Sequence, residues 1–203
     1  MIHASFIRRA GISLALLVAA SAACAHPGHD SATVIGFAGG LLHPFSGFDH
    51  LLAMVAVGLW SAAALRAGRR WTAPVLFVGV MTLAALTARL GLATLPMAGI
   101  EMLVAASVIV LGAMLLAAPR IRPAIGLALL VPAAWMHGTV HGLEAMVGAP
   151  LLSYVVGMVL ATALLHGLGL ASGTALVRWR LGLSRLLGAA IGLSGLALLI
   201  TRL

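Results

Sequence analysis

Long apolar stretches separated by short polar connections dominate this chain. Residues 31–65 are almost entirely apolar, and several further apolar stretches follow, each near the ~20 residues that a bilayer-spanning helix needs. The pattern predicts an all-α membrane protein with six transmembrane helices. The last five spans are expected at about 72–89, 96–117, 124–146, 151–173 and 184–201.

The first 25 residues have the pattern of a secretory signal peptide. Arg8 and Arg9 precede an apolar run, and small residues ending in Ala23-Cys24-Ala25 resemble an Ala-x-Ala cleavage site. We therefore predict a cleavable signal peptide over residues 1–25. An uncleaved first helix and a lipid anchor on Cys24 are the alternatives.

The residues that follow the cleavage site carry two imidazoles. Cleavage after Ala25 would leave residues 26–31 as an exposed N-terminal tail containing His26 and His29, and residues 32–203 as a single six-helix transport domain. Clustered histidine and carboxylate suit borderline divalent metals, so this tail is a candidate first-capture site. The alternative is a solvated, mobile tail. The mature chain would contain no cysteine, which excludes disulfides and thiolate ligands.

A proline interrupts the first long apolar stretch. Pro44 lacks a backbone donor, and the residue before a proline disfavours helical geometry. We expect a short helix at about 32–42, a break at 43–48 around Pro44, and a spanning helix over about 49–65. Broken helices that line a cavity are a common way to build ion sites in transporters.

The arginines predict the orientation. Arg89 and Arg202 lie on one side of the predicted spans, and the arginines of the other connections lie on the opposite side. These are Arg66, Arg69, Arg70, Arg120, Arg122, Arg178, Arg180 and Arg185. By the positive-inside rule the second group is cytoplasmic, which predicts a multi-pass protein of the bacterial inner membrane with both mature termini in the periplasm.

Composition excludes several function classes. All 12 basic residues are arginine, so the chain has no lysine for a phosphate-binding P-loop or a Schiff base. ATP hydrolysis within the chain is therefore not expected, and no ATPase subunit is evident. The net charge of +8 comes from arginines beside apolar spans, which is typical of topology signals and not of nucleic-acid binding.

Ionisable side chains stand at the start of the first main span. His43, Asp49 and His50 flank the expected break. A charged group within a bilayer is unfavourable by roughly 2.5–3.5 kcal/mol on insertion scales, so such residues usually mark a pathway or a site. The three side chains are candidate metal ligands.

A second group of ionisable residues lies in the fourth predicted span. His137, His141 and Glu144 are spaced i, i+4 and i+7, which places them on one helical face. The small residues Gly138 and Gly142 are expected to leave space beside them. Two imidazoles and a carboxylate in line are suitable metal ligands.

Two further ionisable residues have open roles. His166, in the fifth predicted span, is either a metal ligand or a structural hydrogen-bonding residue. Glu101 is either part of the site or an interfacial carboxylate. No buried arginine is expected to pair the intramembrane carboxylates, so each would need a proton or a bound cation. One cation pathway accounts for the whole set.

The two motifs together resemble the HupE/UreJ family of nickel permeases. The resemblance rests on His43-Pro44-x-x-Gly47-x-Asp49-His50, on His137-Gly138-x-x-His141-Gly142-x-Glu144, and on the late histidine His166. It implies secondary transport of nickel, in some members cobalt, across the bacterial inner membrane for hydrogenase or urease assembly. It also implies that His43, Asp49 and His50 are essential for uptake.

These observations predict a permease and not an enzyme. Its substrate would be Ni²⁺ or Co²⁺, with no permanently bound cofactor, and its surroundings the lipid bilayer. Nitrogen and oxygen ligands also suit Zn²⁺, so the residues alone do not name the metal. A metal-independent proton relay and an intramembrane metalloenzyme are the alternatives, although no His-Glu-x-x-His motif is present.

Overall fold

A computed structural model describes residues 36–92, 96–118, 120–145, 150–179 and 181–203, without the side chains of 177–181. The predicted signal peptide and the N-terminal tail with His26 and His29 lie outside these residues.

The described residues form seven α-helices and one 3₁₀ turn, with no strand among them. In chain order they are α1 (Gly36–Ser46), α2 (Phe48–Ala64), the 3₁₀ turn (Ala67–Arg69), α3 (Thr72–Arg89), α4 (Met97–Leu116), α5 (Pro123–Glu144), α6 (Leu151–Trp179) and α7 (Leu181–Ile200). The expectation of an all-helical protein is confirmed for the described part of the chain. The helix bounds lie close to the predicted spans, except that α6 continues beyond residue 173.

Five of these helices are long and apolar enough to cross a bilayer, namely α3 to α7. The helices α1 and α2 form a sixth candidate span if they are counted together, and they are bent by 80° relative to each other. The chain is therefore a multi-pass membrane protein with five or six candidate spans. Large apolar side chains on the outside of the helices, such as Leu83, Leu160 and Leu193, are those that lipid would cover.

The predicted break is present within residues 43–48, and the helix is interrupted at Gly47 and not at Pro44 itself. Pro44 lies within the last turn of α1, where its missing N–H removes a single helical hydrogen bond. The Gly47 amide still donates to the His43 carbonyl, and the Gly47 carbonyl accepts from Leu51, so one residue ends α1 and starts α2. A Cβ at Gly47 would lie 3.0 Å from His50 Nδ1 and 3.1 Å from Asp49 Oδ1, so a residue without a side chain suits this corner.

Helix α2 is the centre of the bundle. It contacts every other described helix, and it packs most extensively along α6. Most of its side chains are buried, including Met54 and Trp60, which are inaccessible to solvent. The residues at its N-terminal end, Asp49 and His50, therefore lie inside the protein and not on its lipid-facing surface.

Glycines allow the helix backbones to approach closely. On α5, a Cβ on Gly138 would overlap the backbone of Met81 in α3, and one on Gly142 would overlap that of Ala85. The expectation that these two glycines keep space open beside the histidines is wrong, because α3 fills that space. Their role is to bring α3 and α5 together, as small residues do between membrane helices.

Candidate metal site

The corner at Gly47 and the end of α5 bring the two predicted motifs together. His43 lies in the last turn of α1, and Asp49 and His50 lie in the first turn of α2. His141 and Glu144 occupy the last turn of α5, which points to the same end of the bundle. Side chains from three helices therefore meet, although about 90 residues of sequence separate the motifs.

Three imidazoles form the core of this arrangement, and we call His43, His50 and His141 the histidine triad. Each offers a ring nitrogen, and these nitrogens all lie within 4.8 Å of one another. The ring centroid of His141 lies 4.7 Å from that of His43 and 4.7 Å from that of His50. His50 and His141 are buried, whereas the His43 side chain is 25% exposed. Such spacing lets one small cation contact all three rings after a modest adjustment.

Asp49 determines which nitrogen of His50 is free. Its Oδ1 lies 2.7 Å from His50 Nδ1 and also accepts from the His50 backbone amide. A carboxylate only accepts, so Nδ1 carries a hydrogen, and in the neutral ring Nε2 carries the lone pair. Nε2 is buried and has no hydrogen-bond partner among the described residues. An aspartate that orients a histidine in this way is a frequent feature of metal sites.

Ser107 determines the tautomer of His137 by the same logic. The Ser107 hydroxyl donates to the Val104 carbonyl at 2.7 Å, so its only hydrogen is in use. It therefore accepts from His137 Nε2 at 3.0 Å. The lone pair of His137 then lies on Nδ1, which is buried and has no partner in the described part of the chain.

His166 has a third fixed tautomer. Its Nδ1 donates to the Met54 carbonyl of α2 at 2.7 Å, and its Nε2 is buried without a partner among the described residues. Met54 follows His50 by four residues, so His166 is held about one helical turn deeper than His50. His141 differs from these residues, because neither of its ring nitrogens has a partner within the described chain.

The histidines continue inward from the triad. The His137 ring centroid lies 4.7 Å from that of His50. Beyond His137, the buried Phe77 ring lies 6.0 Å from His137 and 5.3 Å from His166. The order from the end of the bundle inward is therefore the triad, then His137, then Phe77 and His166.

Glu144 lies at the more exposed end of this series. Its Oε2 is 2.9 Å from His43 Nε2, and its side chain is 35% exposed. A carboxylate that water reaches, beside a partly exposed imidazole, suits the first contact with a hydrated cation.

An arginine pairs the other carboxylate, contrary to the expectation from the sequence. Arg202 donates to Asp49 Oδ2 at 2.7 Å and, through its other terminal nitrogen, to the Glu101 carbonyl at 2.7 Å. The expectation that no arginine pairs the intramembrane carboxylates is wrong for Asp49. Asp49 lies in the first turn of its helix, and the turn after α7 reaches that same end.

Three contributors to this region were not found from the sequence. Arg202 could have been noted because the predicted topology puts it on the same side as Asp49. Ser107 is the single hydroxyl in the apolar α4, which was a usable signal. Phe77 gave no signal, since a phenylalanine in an apolar helix is ordinary.

Comparisons with known proteins agree over nearly the whole chain. A family model described as HupE / UreJ protein matches residues 14–198. Protein HupE of Rhizobium leguminosarum bv. viciae is 38% identical over 192 residues, which cover 93% of this chain and 95% of that protein. No solved structure gives a significant match.

Proposed function

The chain belongs to the HupE/UreJ family, and on this premise we propose that it is a permease for a divalent transition metal, with Ni²⁺ as the first substrate to test and Co²⁺ as the second. It would take up the ion across the bacterial inner membrane by secondary transport and supply it to a metalloenzyme such as hydrogenase or urease.

The observation that carries this proposal is the set of unpartnered buried imidazole nitrogens. His50 Nε2, His137 Nδ1, His166 Nε2 and both nitrogens of His141 have no partner among the described residues. A buried acceptor without a partner is unfavourable by roughly 1–3 kcal/mol. Each of these four rings offers one lone pair that a cation could bind as it passes, and nitrogen donors are ligands that Ni²⁺ and Co²⁺ accept.

The residues have different roles in this proposal. His26 and His29 would collect the ion outside, and Glu144 with His43 would receive it at the exposed end of the series. His43, His50 and His141 would bind it after partial dehydration. Because both oxygens of Asp49 already accept hydrogen bonds from the protein, Asp49 would hold His50 in place instead of binding the ion. His137 and His166 would pass the ion inward.

The membrane potential is a sufficient source of energy for this uptake. An inside-negative potential favours a single positive charge by about 2.3 kcal/mol per 100 mV, and hence a divalent ion by about 4.6 kcal/mol. With both mature termini in the periplasm, the triad would lie at the periplasmic end of the bundle. The ion would then move inward in the direction that the potential favours.

The test is uptake of radioactive nickel into lipid vesicles that contain the purified protein, with an inside-negative potential imposed. We expect saturable uptake by the wild type and at least about tenfold less by His141→Asn. His141 is the most suitable residue to change, because its ring nitrogens make no hydrogen bond within the described chain that the substitution would break.

The matched control is Ser153→Ala, whose hydroxyl lies at the start of α6 and donates to the Pro150 carbonyl and not to a histidine. This variant should transport as the wild type does. Wild-type vesicles that accumulate no more nickel than empty vesicles would refute the proposed function. Equal uptake by His141→Asn and the wild type would refute the proposed site. Competition with Co²⁺ and Zn²⁺ then ranks the substrates.

A further inference from the structure

Arg202 is a positive charge placed against a site that is expected to bind a cation. Its side chain is 25% exposed, and that of its partner Asp49 is 6% exposed. Among the arginines whose side chains are described, it is the one that contacts a carboxylate of the site. A fixed positive charge near a cation site lowers its affinity for cations, so this placement requires an explanation.

The position of Arg202 is held by the fold. The turn after α7 is closed by hydrogen bonds from the Thr201 amide to Ala197 and from the Arg202 amide to Leu199, both at 3.1 Å. The guanidinium then joins two other helices, since it binds Asp49 at the start of α2 and the Glu101 carbonyl near the start of α4. Arginine directs the two terminal nitrogens of one planar group at two fixed acceptors, and lysine, with a single nitrogen, cannot reproduce this arrangement.

The contact between Arg202 and Asp49 determines the charge balance of the site. Asp49 is buried, and a buried carboxylate without a positive partner is strongly unfavourable. If Arg202 were absent, a divalent cation in the triad would be the nearest compensation for that charge, and it would be held tightly. With Arg202 present, Asp49 is already neutralised and still orients His50. The ion is then bound by the imidazole nitrogens, and the compensated charge of Asp49 attracts it only weakly.

We propose that Arg202 is the resident counter-cation of the site: it neutralises Asp49 and keeps the affinity for the divalent ion low enough for the ion to leave inward. This inference rests on the proposed function, because it concerns the release of the transported ion. Arg202 acts through Asp49 and does not touch the ion, so it is a positioning residue. A transporter needs binding that is favourable enough for capture and weak enough for release.

The experiment compares the dependence of initial uptake rate on Ni²⁺ concentration for the wild type, Arg202→Gln, Arg202→Lys and Arg89→Gln in lipid vesicles. For Arg202→Gln we expect the half-saturating Ni²⁺ concentration to fall about tenfold, because one repulsive charge is lost, and the maximal rate to fall because release slows. Arg202→Lys keeps the charge and should retain a half-saturating concentration near that of the wild type. Arg89→Gln removes an arginine on the same predicted side of the membrane that pairs with no carboxylate of the site among the described residues, and it should change neither value.

The alternative role for Arg202 is purely structural, as a link between α2, α4 and α7. In that case Arg202→Gln would raise the half-saturating concentration or leave it unchanged, and this result overturns the proposal. A half-saturating concentration of Arg202→Lys far from that of the wild type would also overturn it. If Arg202→Gln does not fold, Arg202→Lys decides alone, because the charge role predicts normal half-saturation and the linking role predicts its loss. Wild-type vesicles without saturable uptake would refute the proposed function, and this inference with it.

Discussion

Asp49 and Glu144 are both carboxylates at the same end of the bundle, but the protein treats them differently. The Asp49 side chain is 6% exposed and has both oxygens occupied, by His50 and by Arg202. The Glu144 side chain is 35% exposed and has one partner, His43. In the sequence the two residues look alike, since each is an acid that follows or precedes a histidine at the end of an apolar span.

The difference shows how burial assigns roles to chemically similar groups. A buried carboxylate must be fully compensated by the protein, and this leaves Asp49 suited to orienting a ligand. A half-exposed carboxylate keeps contact with water and needs no fixed counter-charge, which leaves Glu144 free to exchange its partner for an arriving ion. The following substitutions test that distinction, beginning with the largest expected effect.

Asp49→Asn should have the largest effect, on both stability and transport. It removes one partner of a buried ion pair, so we expect the free energy of unfolding to fall by about 3 kcal/mol. This is the lower end of the range for such pairs, because the guanidinium is partly exposed. It also removes the carboxylate that fixes the tautomer of His50, so nickel uptake should fall about 10- to 100-fold. Thermal unfolding in detergent and vesicle uptake measure the two effects.

The double variant Asp49→Asn with Arg202→Gln is the control for this prediction. Removing both partners leaves no uncompensated charge, so part of the lost stability should return while uptake stays low. If Asp49→Asn unfolds at the wild-type temperature, Asp49 is not the compensated buried charge that its contacts indicate.

Glu144→Gln should have an intermediate effect that is confined to transport. The substitution keeps the shape of the side chain and removes its charge, so the half-saturating Ni²⁺ concentration should rise about five- to tenfold. Stability should be unchanged within about 0.5 kcal/mol, since half-exposed ion pairs contribute little. Uptake kinetics at low and high ionic strength check the interpretation, because salt should reduce the difference between wild type and variant. A loss of stability as large as that of Asp49→Asn would remove the distinction between the two acids.

Glu101→Gln should have the smallest effect. Arg202 binds the backbone carbonyl of Glu101, which the substitution leaves in place. We therefore expect the uptake rate and the half-saturating concentration to stay within about twofold of the wild type. A larger change in vesicle uptake would show that the Glu101 carboxylate belongs to the site after all.

Much of the fold could be predicted from apolar periodicity, because in a bilayer only helices satisfy their own backbone hydrogen bonds. The second predicted span coincides with Thr72–Arg89, and the others agree within a few residues except for the longer α6. The break in the first span lies within the predicted range of 43–48, but at Gly47 and not at the proline that predicted it. A single proline near the end of a helix can be tolerated there, whereas the close packing of Asp49 and His50 against residue 47 is a tertiary constraint.

For the candidate site, the types of residue could be read from the sequence, but their roles could not. Helical spacing placed His137, His141 and Glu144 on one face. The unfavourable free energy of ionisable groups in lipid identified His43, Asp49 and His50 as candidate functional residues. What the sequence alone determined was therefore a helical membrane protein with two groups of ligand-type residues.

Only the tertiary structure decided which atoms meet. The corner at Gly47 and the packing of α2 inside the bundle bring His43 and His50 to His141. The turn after α7 delivers Arg202 to Asp49 across more than 150 residues of chain, and Ser107 selects the tautomer of His137 from a different helix. The physical reason is that periodicity describes one helix at a time, whereas partners of buried polar groups come from whichever helix packs beside them.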